Sequence, residues 1–348
     1  MKPRIIIDRN IPFIEGMLES VADVTYLAAA EITNSSVRSA DCLIVRTRTR
    51  CDAALLDGTD IRLIVTATIG YDHIDTAYCA AHNITWRNAP GCNAASVQQY
   101  VGAAIAEWAA AQGTALQGKT AGIIGVGHVG SKVENLCAML GMNVLRNDPP
   151  RAECEGNALF STLDEIAEQA DIITLHTPLT RGGNYPTFHM IDSGFFSKLK
   201  RKPLIINAAR GGIVDEEALM QAMDRNLVGG CVIDCWEHEP DISPALLQRA
   251  FIATPHIAGY SADGKANATL MSLKTVNSIF SLGLDLSHFA PLPPKRQIYI
   301  NGDEALDVLR SSYDILRDSR LLKAAPARFE HFRSHYPIRR ECGITVLP

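Results

Sequence analysis

Three segments in the second half of the chain carry residue types suited to oxidising an alcohol. They are Asn207-Ala208-Ala209-Arg210-Gly211, Asp234-Cys235-Trp236-Glu237-His238-Glu239-Pro240 and Thr254-Pro255-His256-Ile257-Ala258-Gly259-Tyr260. Taking a hydride from a hydroxylated carbon needs a base for the hydroxyl proton, an acceptor for the hydride and a cation for the substrate's charged or polarised oxygens. Histidine as a type changes charge near neutral pH, and a carboxylate beside it fixes its tautomer. Arginine holds a carboxylate in a planar fork that lysine does not reproduce. Arg210, Glu239 and His256 are therefore candidate catalytic residues. Glu237 and His238 are of the same types and stand beside them, so composition alone leaves both open.

The hydride acceptor is suggested by Gly125-Val126-Gly127-His128-Val129-Gly130. The loop follows the apolar run Ala121 to Ile124 and precedes the amphipathic stretch Ser131 to Leu140, the context a dinucleotide fingerprint requires. Gly125 would make the tight turn, Gly127 would let the backbone approach a pyrophosphate, and Gly130 would let helix and strand pack closely. The helix N-terminus would face the phosphate charge. Asp148 closes the next strand candidate, near the expected interval of about 20 residues, and its carboxylate suits two ribose hydroxyls. It would repel a 2′-phosphate, which favours NAD over NADP, although Arg146 and Arg151 stand close by.

The elements that must position these residues alternate short apolar runs with helix-length intervals, the pattern of βαβ units on a parallel sheet. The first series has Ile5 to Ile7, Cys42 to Val45 and Leu63 to Val65 as strands, with Ile11 to Glu19 and Ala53 to Leu56 as helical links. A long helix from Asn93 to Ala111 leads into a second series with strands Ala121 to Ile124, Asn143 to Leu145, Ile172 to Leu175, Leu204 to Ile206 and Gly230 to Ile233. A further helix, Ala262 to Ser281, is followed by the linker Pro291-Leu292-Pro293-Pro294 and a small C-terminal unit. The fold class expected is α/β, with two doubly wound parallel-sheet domains. In such sheets the turns beyond the strands' carboxyl ends line the ligand crevice, so the three polar segments could converge there.

Bulk properties bound the rest. A chain of 348 residues is too long for one ordinary core. Its formal net charge of -5 argues against nucleic acid as a partner. No apolar run approaches the roughly 18 residues of a membrane span, and Met1 to Asp8 reads as a buried strand rather than a signal peptide, so a cytoplasmic protein is expected. The nine scattered cysteines suggest reduced thiols, and Cys231 and Cys235 lack the spacing of a metal pair, so no metal site is assigned.

The glycine loop, Asn-x-x-Arg-Gly, Glu-Pro and Pro-His segments, in this order, resemble the D-isomer-specific 2-hydroxyacid dehydrogenases over nearly residues 1 to 282. The resemblance implies that Arg210, Glu239 and His256 are catalytic and that His176-Thr177-Pro178-Leu179 passes along the cofactor's ribose. It implies NAD contacts from Asp148, Thr177, Ala208, Ala209, Asp234 and Gly259, and substrate contacts from Thr47, Thr68 and Tyr260. It also implies a substrate-binding and catalytic domain from residues 1–92 and 254–282, an NAD-binding Rossmann domain from 93–253, and a C-terminal α+β domain, 283–348, that pairs two copies into a homodimer.

Five stretches are similar to the branch of that family that oxidises 4-phospho-D-erythronate in the synthesis of the vitamin B6 coenzyme. They are 66–73, 89–94, 148–151, 236–240 and 254–260. Alternatives are another hydroxy acid, such as glycerate or 3-phosphoglycerate, or an NAD-sensing protein like the co-repressors of this fold. A phosphate-bearing substrate calls for arginine, and Val45-Arg46-Thr47-Arg48-Thr49-Arg50 supplies three, Arg46 first among them. On an extended segment the arginines would share one side and the threonines the other, so the chain must bend for both to serve. A solvated basic edge strand is the plainer reading. The basic stretch Arg317 to Arg340 could add phosphate contacts across a dimer or simply face solvent.

Overall fold

The computed structural model describes residues 2–300, 304–337 and 339–346. The chain divides into two compact units, Met1–Asn93 with Ser261–Pro294 and Ala94–Tyr260 with Lys295–Pro348.

The first unit holds β1 (Arg4–Asp8), β2 (Asp23–Leu27), β3 (Cys42–Val45), β4 (Leu63–Thr66) and β5 (Thr85–Arg87) in an all-parallel sheet of order β2-β1-β3-β4-β5. Every residue of β3 and β4 is buried, as in a sheet covered on both faces. Alternate residues serve opposite cores: Ile6, Leu43 and Ile64 on one face, Ile5, Cys42 and Leu63 on the other with Leu273 and Val276 of the Ala262–Phe280 helix. The expected helix from Ile11 to Glu19 is instead a series of turns. Phe13 and Gly16 adopt left-handed φ values of 63° and 81°, and the Glu19 carboxylate accepts the N–H groups of Gly16 and Leu18. Ile11, Ile14 and Leu18 are buried at helical spacing without a helix.

The second unit holds β6 (Thr120–Ile124), β7 (Asn143–Asn147), β8 (Ile172–Leu175), β9 (Leu204–Asn207), β10 (Gly230–Ile233) and β11 (Ile252–Ala253). They form a parallel sheet of order β11-β10-β9-β8-β6-β7. The chain runs from β6 outward to β7 and returns to β8 on the other side, so the topological switch point lies between β6 and β8. The Ala94–Gln112 helix belongs to this unit: Tyr100 Oη lies 2.7 Å from Thr254 Oγ1, and Ser96 Oγ donates to the Ala258 carbonyl at 2.9 Å.

Two boundaries therefore fall elsewhere than the sequence suggests. The turn 254–260 is tied to the second unit, and the C-terminal segment packs into that unit's core. Ile298, Leu309 and Ile315 share a cluster with Val97 and Leu136. The segment's own strands, β12 (Arg296–Ile300) and β13 (Cys342–Val346), pair in parallel. Among the described residues no helix is long and apolar enough to cross a membrane.

Candidate active site

Five consecutive strands of the second sheet, β6, β8, β9, β10 and β11, end in turns at the same rim, and those turns carry nearly all the polar residues singled out in this unit. The first is the glycine loop. Gly125 turns at φ 85°, and a Cβ there would lie 2.7 Å from the His176 carbonyl carbon. A Cβ on Gly130 would lie 2.0 Å from the Gly125 oxygen, so neither position admits a side chain. Gly127 has no heavy atom within 4 Å of its would-be Cβ, so its side faces open space. The His128–Met139 helix begins immediately after it.

Asp148 is bound into this loop. Its Oδ2 accepts the Val126 N–H at 2.8 Å, and its Oδ1 caps the Pro149–Glu155 helix by accepting the Arg151 N–H. The two nearby arginines are engaged with protein carboxylates, Arg146 with Glu134 and Arg151 with Glu155. Beyond β8, His176 Nδ1 and Thr177 Oγ1 are buried polar atoms with no protein partner. Burial lowers the His176 imidazole to about 3, so it is neutral. Open space over Gly127, a glycine-crowded turn at a helix N-terminus and two unpartnered polar atoms at the switch point fit a dinucleotide whose pyrophosphate lies over the loop.

The other three turns are laced together. Asn207 Nδ2 donates to the carbonyls of Arg210 and Cys235, joining the β9 and β10 turns. A Cβ on Gly211 would lie 1.8 Å from the Trp236 carbonyl, so the two backbones touch there. Asp234, 1% exposed, accepts from Thr254 Oγ1, Ile257 N–H and Ala258 N–H, at 2.6 to 2.9 Å. That carboxylate holds the 254–258 turn, in which His256 takes a left-handed φ of 56°. Non-glycine residues reach this region at a cost of order 1 kcal/mol, and such strain concentrates at working sites.

These ties bring His256 Nδ1 to 3.0 and 2.9 Å from the two carboxylate oxygens of Glu239. Burial pushes the Glu239 carboxyl up, but the His256 hydrogen bond and charge, the Trp236 N–H and Arg333 outweigh it and hold the group below its ordinary value. Geometry separates this pair from its neighbours. Glu237 is engaged with His189 at 2.9 Å, and the His238 side chain is 84% exposed. Arg210 is half-buried, its Nη1 donating to the Ala209 carbonyl. Donor atoms of Cys235, Glu239 and His256 lie within 4.8 Å of one another, although burial holds the Cys235 thiol protonated. Cys231 is a core residue, its thiol pushed up to about 12.

The first-unit residues fall differently. Thr49 N–H bonds to the Arg46 carbonyl and closes a turn, which leaves Thr47 exposed and Thr49 buried. The strand alternation expected over 45–50 is thus absent, and β3 is an interior strand rather than an edge. Arg46 forks onto the fully buried Asp8, at 2.9 and 3.2 Å. Thr68 Oγ1 donates to the Gly70 carbonyl at 2.9 Å. Tyr260 meets the ring of Tyr336 edge-on. Sequence reasoning missed the joining roles of Asn207 and Asp234 and the approach of Arg333 to Glu239; for Arg333 no spacing signal exists.

The family model described as D-isomer specific 2-hydroxyacid dehydrogenase, NAD binding domain, matches residues 93–258. An erythronate-4-phosphate dehydrogenase of Bacteroides fragilis is 47% identical over 341 residues, 98% of this chain and 97% of its own length. One of Porphyromonas gingivalis is 44% identical, covering 97% and 93%. Among solved structures, NAD+-bound 3-phosphoglycerate dehydrogenase of Entamoeba histolytica is similar at TM-score 0.68 and 25% identity, over 83% of this chain and 100% of its own. D-lactate dehydrogenase of Aquifex aeolicus, complexed with NAD and lactic acid, has TM-score 0.66 and 24% identity, over 80% and 95%.

Proposed function

We propose, for a chain that belongs to the D-isomer-specific 2-hydroxyacid dehydrogenase family and uses NAD, that its reaction is the oxidation of 4-phospho-D-erythronate to 2-oxo-3-hydroxy-4-phosphobutanoate in vitamin B6 coenzyme synthesis. Near-full-length identity to relatives called erythronate-4-phosphate dehydrogenase supports the substrate. The observation that carries the chemistry is the Glu239–His256 pairing. With Nδ1–H donated to the carboxylate, Nε2 of His256 keeps its lone pair and takes the C2 hydroxyl proton. NAD, when bound, accepts the hydride from C2.

Arg210 grips the substrate carboxylate and draws charge from the developing ketone oxygen. Glu239 stabilises the imidazolium that forms. The glycine loop 125–130 with His128 and Val129, together with Asp148, His176, Thr177, Ala208, Ala209, Asp234 and Gly259, would hold the dinucleotide. Thr47, Thr68 and Tyr260 would hold substrate hydroxyls and Arg46 its phosphate, with the fork to Asp8 presenting the remaining guanidinium edge. Residues beyond 283 would pair two copies in a cytoplasmic homodimer, by resemblance to the family.

The test is formation of the 2-oxo acid product from 4-phospho-D-erythronate by the purified protein, with and without added 2-oxoglutarate, which would reoxidise tightly held NADH and itself be reduced to 2-hydroxyglutarate. D-glycerate and 3-phosphoglycerate run beside it. A kcat/KM for either of these equal to that for the erythronate ester would reject the substrate assignment.

A further inference from the structure

Glu239 has a second charged neighbour besides His256. Arg333 Nη1 lies 3.5 Å from Glu239 Oε2, and both side chains are largely buried, 21% and 18% exposed. Arg333 sits on the short helix Phe329–Ser334, which is fixed by the buried ring of Phe329. The guanidinium also hydrogen-bonds Tyr260. A second tie holds the tail to the same turn: Arg339 Nη2 donates to Ser96 Oγ and to the Ala258 carbonyl at 2.6 and 2.7 Å. The solved dehydrogenases are matched over 95–100% of their own length yet cover only 80–83% of this chain, so this chain carries a stretch that they lack. The relatives with the phosphoerythronate name cover 97–98% of it.

We propose that Arg333, supplied by the C-terminal segment, is a positioning residue of the reaction site whose charge keeps Glu239 ionised beside His256 and whose hydrogen bond steadies Tyr260. The proposal rests on the Glu239–His256 pair being the acid–base centre, not on the identity of the substrate. A carboxylate this enclosed loses hydration, and burial favours its protonated form. Protonated Glu239 could no longer accept from Nδ1 or offset the imidazolium. A cation at 3.5 Å opposes that protonation. The other groups facing the carboxylate are the Trp236 N–H, which assists, the neutral Cys235 thiol, and Glu216, whose charge would oppose; Tyr260 faces Arg333. Arg210 faces Cys235 from the β9 turn.

The experiment titrates the Glu239 side-chain carboxyl by carbon NMR in full-length protein labelled at glutamate, assigned against Glu239→Gln. It compares wild type, Arg333→Gln and Arg333→Lys. Loss of the cation should raise the Glu239 midpoint by about one pH unit in Arg333→Gln, and the acidic limb of kcat/KM should move the same way. Arg333→Lys keeps the charge and should hold both within about 0.3 unit, while losing the guanidinium's hydrogen bond to Tyr260 raises the hydroxy acid's KM several-fold. NAD affinity should stay within about twofold in both. A Glu239 midpoint unmoved in folded Arg333→Gln, or displaced in Arg333→Lys, overturns the proposal, and the lysine variant alone decides it if the glutamine variant does not fold. Because the titration needs no substrate, its result stands apart from the outcome of the 4-phosphoerythronate assay.

Discussion

Both carboxylate oxygens of Glu239 lie within hydrogen-bond reach of a single atom, His256 Nδ1, so the imidazole is held in one tautomer with Nε2 as its basic edge. His256→Asn should therefore lower kcat by about 10³-fold or more while leaving NAD affinity within about twofold. Glu239→Gln, which keeps shape but presents an amide to Nδ1, should cost about 10–10² in kcat. Stopped-flow NADH formation and fluorescence titration of NAD make the comparison. Equal losses in NAD binding and turnover would place His256 in cofactor binding instead.

The glycine loop offers a paired test. Gly130→Ala forces a Cβ to 2.0 Å from the Gly125 carbonyl oxygen, a backbone atom that moves only with the turn, and should destabilise the fold by about 2 kcal/mol or more. Gly127→Ala meets nothing within 4 Å, so its unfolding midpoint should match wild type while NAD affinity falls about tenfold. Thermal unfolding and NAD titration of the two proteins separate crowding within the fold from crowding of the ligand.

Asp148→Ser retains an oxygen able to cap the Pro149–Glu155 helix but removes the charge beside the loop. NAD should bind at least about tenfold more weakly, and the preference for NAD over NADP should narrow. Should the ratio of the two kcat/KM values stay as in wild type, Asp148 would not set the choice of nucleotide.

Glu216 gives a pH dependence. Burial, with the charges of Glu237 and Glu239, raises its carboxyl to about 7 despite the hydrogen bond from the Glu237 N–H. A folded value above the unfolded one means that its contribution is fully present below about pH 4.5 and is lost as pH rises through 7. Glu216→Gln should therefore gain on wild type between pH 5 and 8, by on the order of 1–2 kcal/mol after allowance for solvent screening. Denaturant unfolding at the two pH values reads the difference, and parallel curves would refute it.

The strands of both sheets were legible because buried parallel strands read as short unbroken apolar runs, as Cys42–Val45 and Ile172–Leu175 do. Edge strands β2 and β5 escaped, since Asp23–Leu27 and Thr85–Arg87 are only partly buried and lack that run. The turn at 11–19 shows the opposite failure: helical spacing of isoleucines and leucine arose from one-sided burial of a loop. At the site, Gly125, Gly127, Gly130 and Asp148 stood out by type and spacing, whereas the choice of Glu239 and His256 over Glu237 and His238, which are of the same types, rested on the family resemblance. The bracing by Asn207 and Asp234 was not legible, because a side chain's commitment to backbone groups depends on how turns meet in space. Arg333 was one basic residue among several, and only the packing of the tail distinguishes it.

Asn207 and Asp234 make the turns carrying Arg210, Glu239 and His256 a self-braced block within one unit. Mutations that reshape turns of the other unit, such as 46–50 or 66–70, leave that bracing untouched. Over evolutionary time the range of acids oxidised can drift while the proton and hydride chemistry stays fixed. A substitution at Asn207 or Asp234 closes that route, because it alters the reaction for every substrate at once.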